Sequence, residues 1–124
     1  MTEKEEKILY IGTCADDNSE KAHMPFVMAV AALTMDVKAT IVLQGAGVYL
    51  AKKGYVDSMP PGGGFPPLKK LLQDFLDLGG QLKVCGPCIK TRHIEESDLV
   101  EGTEVTAAGA LNIAAMEANA VFTY

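Results

Sequence analysis

"LKVCGPCIKTRHI", residues 82–94, decides how the rest of this chain is read. Gln81 to Cys85 reads as a strand that runs straight into Gly86-Pro87-Cys88, where a helix begins. Pro87 suits a first helical turn, because the N–H it lacks has no intrahelical partner there. A cysteine at this junction meets backbone N–H groups and the positive end of the helix dipole, which favour the thiolate. Lys90, Arg92 and His93 follow within two turns, and their positive charge pushes the thiol pKa the same way. Since the thiolate is the reacting species, these residues point to an exposed, activated thiol at Cys85 with a second thiol at Cys88.

Outward from this stretch, strands and helices alternate. "KILYIGT" (7–13) and "KATIVLQ" (38–44) are β-rich apolar runs, with "TEVT" (103–106) and "AVFTY" (120–124) as two further strands. Residues 20–35 are helical in composition and apolar almost all round from Met24 to Leu33, which predicts cover on two sides, by the sheet and by a partner subunit. "GAGVYLAKKG" (45–54) reads as a short helix ending at glycine. Leu68, Leu71, Leu72, Phe75 and Leu76 form one face of an amphipathic helix stopped by Gly79-Gly80. "IKTRHIEESDLVEG" (89–102) reads as a short helix and loop, and "AAGALNIAAMEA" (107–118) as a small-residue helix suited to close packing. "DSMPPGGGFPP" (57–67) is the one long loop. Strand–helix alternation implies a parallel sheet with right-handed crossovers. The expectation is a single α/β domain over 1–124. It has three layers, α/β/α, of the flavodoxin-like kind, with a mostly parallel five-stranded sheet and helices on both faces.

The totals narrow the function. A chain of 124 residues is one domain by length and hides enough surface to fold without a disulfide or metal. Its 48% apolar and 22% charged residues fit a globular protein, and the net charge of −5 argues against nucleic acid or anionic membrane as a partner. The start, MTEKEEK, lacks the features of a signal peptide, and no apolar run reaches the length of a membrane span. Three cysteines, an odd number, fit thiol chemistry in a reducing cytoplasm better than structural disulfides.

The spelling CGPC is shared with thioredoxins, but the resemblance is local. There is no tryptophan before the motif, and Pro87 is the last proline, so no later proline can face the dithiol. A structural zinc needs about four ligands. One CxxC with Cys14, His23 and His93 left over matches no standard module, so neither metal nor cofactor is expected. In a parallel sheet the reactive loops lie beyond the carboxyl ends of the strands. Cys14 follows the first strand and Cys85 ends the third, so all three cysteines can share one edge.

The order "ILYIGT", apolar helix, "IVLQGAGVYLAKKG", "LKVCGPCIKTRHI" and "VTAAGALNIAAMEANAVFTY" resembles the DsrE/DsrF-like family of small sulfur-relay proteins over essentially the whole chain. That resemblance implies a flavodoxin-like fold, cytoplasmic location, and oligomers, often trimers or hexamers. It also implies a sulfurtransferase-like role, with Cys85 carrying a persulfide between donor and acceptor proteins or small sulfane sulfur compounds. Cys88 departs from the pattern of relay members, which typically show one cysteine followed by small apolar residues.

Each candidate has a plainer reading. Cys85, Cys88 and Cys14 can be buried small hydrophobes. His23 reads as a half-exposed surface or cap residue, and Lys90, Arg92 and His93 as ordinary surface groups. The GxG of "QGAGVYL" is explained as well by tight strand–helix packing as by a ligand. The leading expectation is a sulfur carrier using Cys85. The alternatives are a dithiol–disulfide oxidoreductase using Cys85 and Cys88, or a non-catalytic oligomeric binding protein.

Overall fold

A computed structural model describes residues 5–124; Met1 to Lys4, within the MTEKEEK start and the 1–124 domain span, lie outside the described residues. The elements follow in the order β1 (Lys7–Gly12), α1 (Ser19–Thr34), β2 (Lys38–Leu43), α2 (Leu68–Asp77), β3 (Gln81–Cys85), α3 (Gly86–Thr91), β4 (Glu104–Thr106), α4 (Ala108–Glu117) and β5 (Ala120–Thr123). All pairings are parallel, and the strands lie in the order β4-β3-β2-β1-β5.

This order fixes which face each helix takes. From β1 to β4 the chain steps always the same way, so right-handed crossovers put α1 and α2 on one face. The link from β4 to β5 returns across the whole sheet in the opposite sense, which puts α4 on the other face. The packing agrees: α1 lies on β1, β2 and α2, whereas α4 meets β1. The expected three-layer α/β fold is what forms.

The two faces are unequally covered. Leu68, Leu71, Leu72 and Phe75 of α2 are buried, as their spacing predicts, and Phe75 meets Phe26 of α1 edge-on with ring centroids 5.9 Å apart. Asn18 caps α1 by accepting from the Lys21 N–H at 3.2 Å. On the opposite face no residue of α4 is buried, and Ile113 and Met116 are 55% and 76% exposed. Helix α1 likewise leaves Met28 exposed, as is Met35 just past its end. Among the described residues no helix is long and apolar enough to cross a membrane.

Two local expectations need correction. The stretch read as a helix over 45–54 winds as a tighter 3-10 turn, Gly45–Ala51. Gly45 enters it at φ +54, and a Cβ on Gly47 would stand 2.6 Å from the Gly12 carbonyl oxygen, so the segment lies flat on the end of β1. His23 is also no surface residue, being 1% exposed. Its Nδ1 lies 2.6 Å from the Ser19 carbonyl oxygen, its ring stacks on Phe65, and the Gly62 backbone covers it. The Gly/Pro-rich loop is thereby pinned to α1, an anchor reinforced by the Ser19 hydroxyl donating to the Pro60 carbonyl at 2.7 Å.

Candidate functional site

The carboxyl ends of β1, β2 and β3 form one edge, and the candidate site stands on it. β2 lies between the other two. At their ends the Gln44 N–H donates to the Gly12 carbonyl at 2.9 Å, which brings the loop after β2 over the end of β1. Cys85 is the last residue of β3 and the residue that caps α3, with φ −67 and ψ 122. One turn later, Cys88 returns over it.

The thiols of Cys85 and Cys88 touch. Cys88 donates to the Cys85 sulfur at 2.6 Å, and both side chains are partly buried. From the neighbouring strand end, the Gly45 N–H donates to the Cys88 sulfur at 3.3 Å. Gly45 reaches this position through the left-handed backbone that glycine adopts without strain. From the end of α3, the Arg92 guanidinium donates to the Cys88 carbonyl at 3.1 Å, which ties the last turn of the helix to the first.

Arg92 is itself placed by aromatic groups from the 3-10 segments. Its guanidinium carbon lies 5.7 Å from the Tyr49 ring centroid, Tyr49 stacks on Tyr55, and the Tyr55 hydroxyl donates to Asp16 at 2.9 Å. Burial, and then the bond to Asp16, pushes the Tyr55 phenol up to about 12.

The electrostatics of Cys85 differ from expectation. Burial, and then the hydrogen bond from the Cys88 thiol, raise its pKa above the ordinary thiol value, while the Cys88 backbone N–H and, more weakly, the Arg92 cation pull it down. Removal of the sulfur from water outweighs the Cys88 N–H that the first turn of the six-residue α3 offers a thiolate. The resting Cys85 is therefore a thiol at neutral pH.

The accessory candidates separate. Arg92 belongs to the site. Lys90 is exposed and points along a groove of about 850 Å³ between α3 and β4, which Gly86, Pro87, Ile94 and Thr106 also line. His93 is exposed and, at φ +56, ends α3. Cys14 is partly buried against the core at the end of β1, on the same edge as the dithiol, with β2 between them. Two strand spacings put it roughly 10 Å along the edge. Among the described residues no three His, Cys, Asp or Glu side chains gather as a metal site would require.

Tyr49, Tyr55 and Asp16 carry no motif in the sequence that assigns them to the site. The GxG after β2 was the one available signal for Gly45. The Tyr55–Asp16 bond joins residues 39 apart in sequence, a contact only the fold creates.

Comparison with known proteins covers nearly the whole chain. A family model described as "DsrE/DsrF-like family" matches residues 6–124. The uncharacterized protein MJ0989 of Methanocaldococcus jannaschii is 34% identical over 118 residues, 95% of this chain and 99% of its own length. Protein MJ0760 of the same organism, also uncharacterized, is 38% identical over 105 residues; they make up 85% of this chain but only 38% of that longer protein. Among solved structures, the YchN protein of E. coli superposes with a TM-score of 0.79 at 21% identity, covering 96% of this chain and 99% of its own. MTH1491 of Methanobacterium thermoautotrophicum, titled a protein of unknown function, gives 0.68 at 17% identity and covers 97% of this chain and 100% of its own. At these identities the two structures show a common fold.

Proposed function

The chain belongs to the DsrE/DsrF-like family, and from that footing we propose that it is a cytoplasmic sulfur carrier, sulfurtransferase-like, that takes up sulfane sulfur on Cys85. The observation that carries this reading is the position of Cys85, partly exposed at the carboxyl end of β3 on the edge where a parallel sheet places its chemistry.

In uptake, the Cys85 thiolate attacks the outer sulfur of a donor persulfide. The S–S bond of the donor breaks, the donor leaves as its thiolate, and Cys85 holds the sulfur as Cys85–S–SH. In delivery, an acceptor thiolate attacks that outer sulfur and Cys85 leaves as thiolate. Partners are thus thiol or persulfide proteins, or small sulfane sulfur compounds. The raised pKa of Cys85 bears on both steps. A less acidic thiol is a stronger nucleophile once ionised and a slower leaving group, so Cys85 loads firmly and releases reluctantly. Arg92 offsets part of the cost of ionisation.

The test is incubation with a sulfane sulfur donor, capture of persulfides by an alkylating reagent, and peptide mapping. The trapped sulfur is expected on the peptide holding Cys85. Trapping on Cys14 alone would overturn the reading. The contact between the two thiols favours a second reading, a dithiol–disulfide oxidoreductase. Its mark is turnover of a disulfide substrate that needs both Cys85 and Cys88, with no sulfur adduct.

The carrier is also read as an oligomer of this chain. What supports this is the exposed apolar side of α4 together with β5, an edge strand without charged residues in which Val121 and Phe122 are 42% and 38% exposed.

A further inference from the structure

The Cys85 persulfide has a second way to lose its sulfur, and it lies within the same turn. We propose that Cys88 discharges it: held by the Gly45 amide and in contact with the Cys85 sulfur, Cys88 attacks Cys85 and expels the carried sulfur as hydrosulfide. The proposal rests on the carrier reading and adds an activity to it, sulfide release without an acceptor protein.

Three observations converge. The two sulfurs already touch, so no backbone movement precedes attack. The Gly45 N–H donates to the Cys88 sulfur, and such a donor stabilises a sulfur that carries negative charge. Arg92 ties the Cys88 carbonyl to the end of α3 and fixes the turn on which Cys88 stands.

The step balances without an outside oxidant. Cys88–SH loses its proton to water, and its thiolate attacks the inner sulfur of Cys85–S–SH. The Cys85–Cys88 bond forms as the bond to the outer sulfur breaks, and HS⁻ departs. The carried sulfane sulfur is reduced to sulfide while the two cysteine sulfurs are oxidised to a disulfide. A thiol reductant then restores the dithiol by exchange. The leaving group also separates the two routes. Delivery to an acceptor must expel the Cys85 thiolate, which its raised pKa slows, whereas discharge expels hydrosulfide and is free of that brake. The departure of this chain from a single-cysteine pattern thereby acquires a purpose, as does its "QGAG" turn.

The experiment loads wild type, Cys88→Ser, Cys14→Ser and Cys85→Ser with glutathione persulfide and removes the excess. Intact mass and free sulfide are then followed without reductant. Wild type and Cys14→Ser should pass from one added sulfur to a loss of two hydrogens, releasing one sulfide. Cys88→Ser should keep its added sulfur at least ~10-fold longer, since intramolecular attack is the faster route. Gly45→Ala, strained at φ +54, should slow discharge, and Gly45→Asn, which tolerates that backbone, should restore it. Equal sulfur retention in wild type and Cys88→Ser would overturn the proposal while leaving the carrier reading intact. Absence of any adduct in Cys88→Ser, with Cys85 present, would overturn both.

Discussion

At the scale of the residue, removal from water is the largest cause acting on the Cys85 thiol. The raised pKa of Cys85 means that the fold favours the protonated thiol. The stability this contributes is fully present below the ordinary thiol range and is lost as pH rises toward the raised value. Alkylation of Cys85 should accordingly keep accelerating with pH above that range, which a rate–pH profile checks. Arg92→Ala removes the cation that opposes the shift, so alkylation at pH 7 should slow by roughly two- to tenfold. Tyr55, with its phenol pushed up to about 12, should give the last phenolate step in an absorbance titration, and Tyr55→Phe should delete it. Cys85 and Cys88 were legible because a strand pattern ran into Gly-Pro and a helix. The raised pKa was not legible, since the site's surroundings depend on the Gly45–Ala51 segment, which packs against β3 and α3 from another strand end. Lys90 and His93 sit near Cys85 in sequence, but Lys90 lines the groove and His93 lies past the end of α3.

At the scale of the element, the periodic segments were the readable ones. Helix α2 buries the face its spacing predicted, and Phe75→Ala should destabilise the fold by about 3–5 kcal/mol in denaturant unfolding, by loss of the contact with Phe26 and the cavity left behind. The 3-10 segment Gly45–Ala51 was misread as an ordinary helix because its conformation is imposed by the end of β1 rather than by its own composition. Gly47→Ala should cost about 1–3 kcal/mol, because the added methyl meets the Gly12 carbonyl, a backbone atom that cannot rotate away. His23 illustrates the same limit. A histidine at the start of an apolar helix looks like a cap until a distant Gly/Pro-rich loop closes over it.

At the scale of the whole molecule, one topological step explains both the site and the bare face. Two successive crossovers in one direction align the carboxyl ends of β1, β2 and β3, and so bring Cys14, Gly45 and Cys85 to one edge. The return to β5 sets α4 on the second face, where none of its residues is buried and Ile113 and Met116 stand exposed. Strand alternation made the parallel sheet readable, but nothing in local periodicity says that the last strand crosses back to pair with the first. On the oligomer reading, wild type should sediment above monomer mass at micromolar concentration, and joint Met116→Glu and Phe122→Glu substitution should shift it to monomer. The most direct test of the central claim is intact-mass measurement after exposure to glutathione persulfide, on Cys88→Ser and on Cys85→Ser. The account predicts one reducible added sulfur on the former and none on the latter; the same adduct on Cys85→Ser would contradict it.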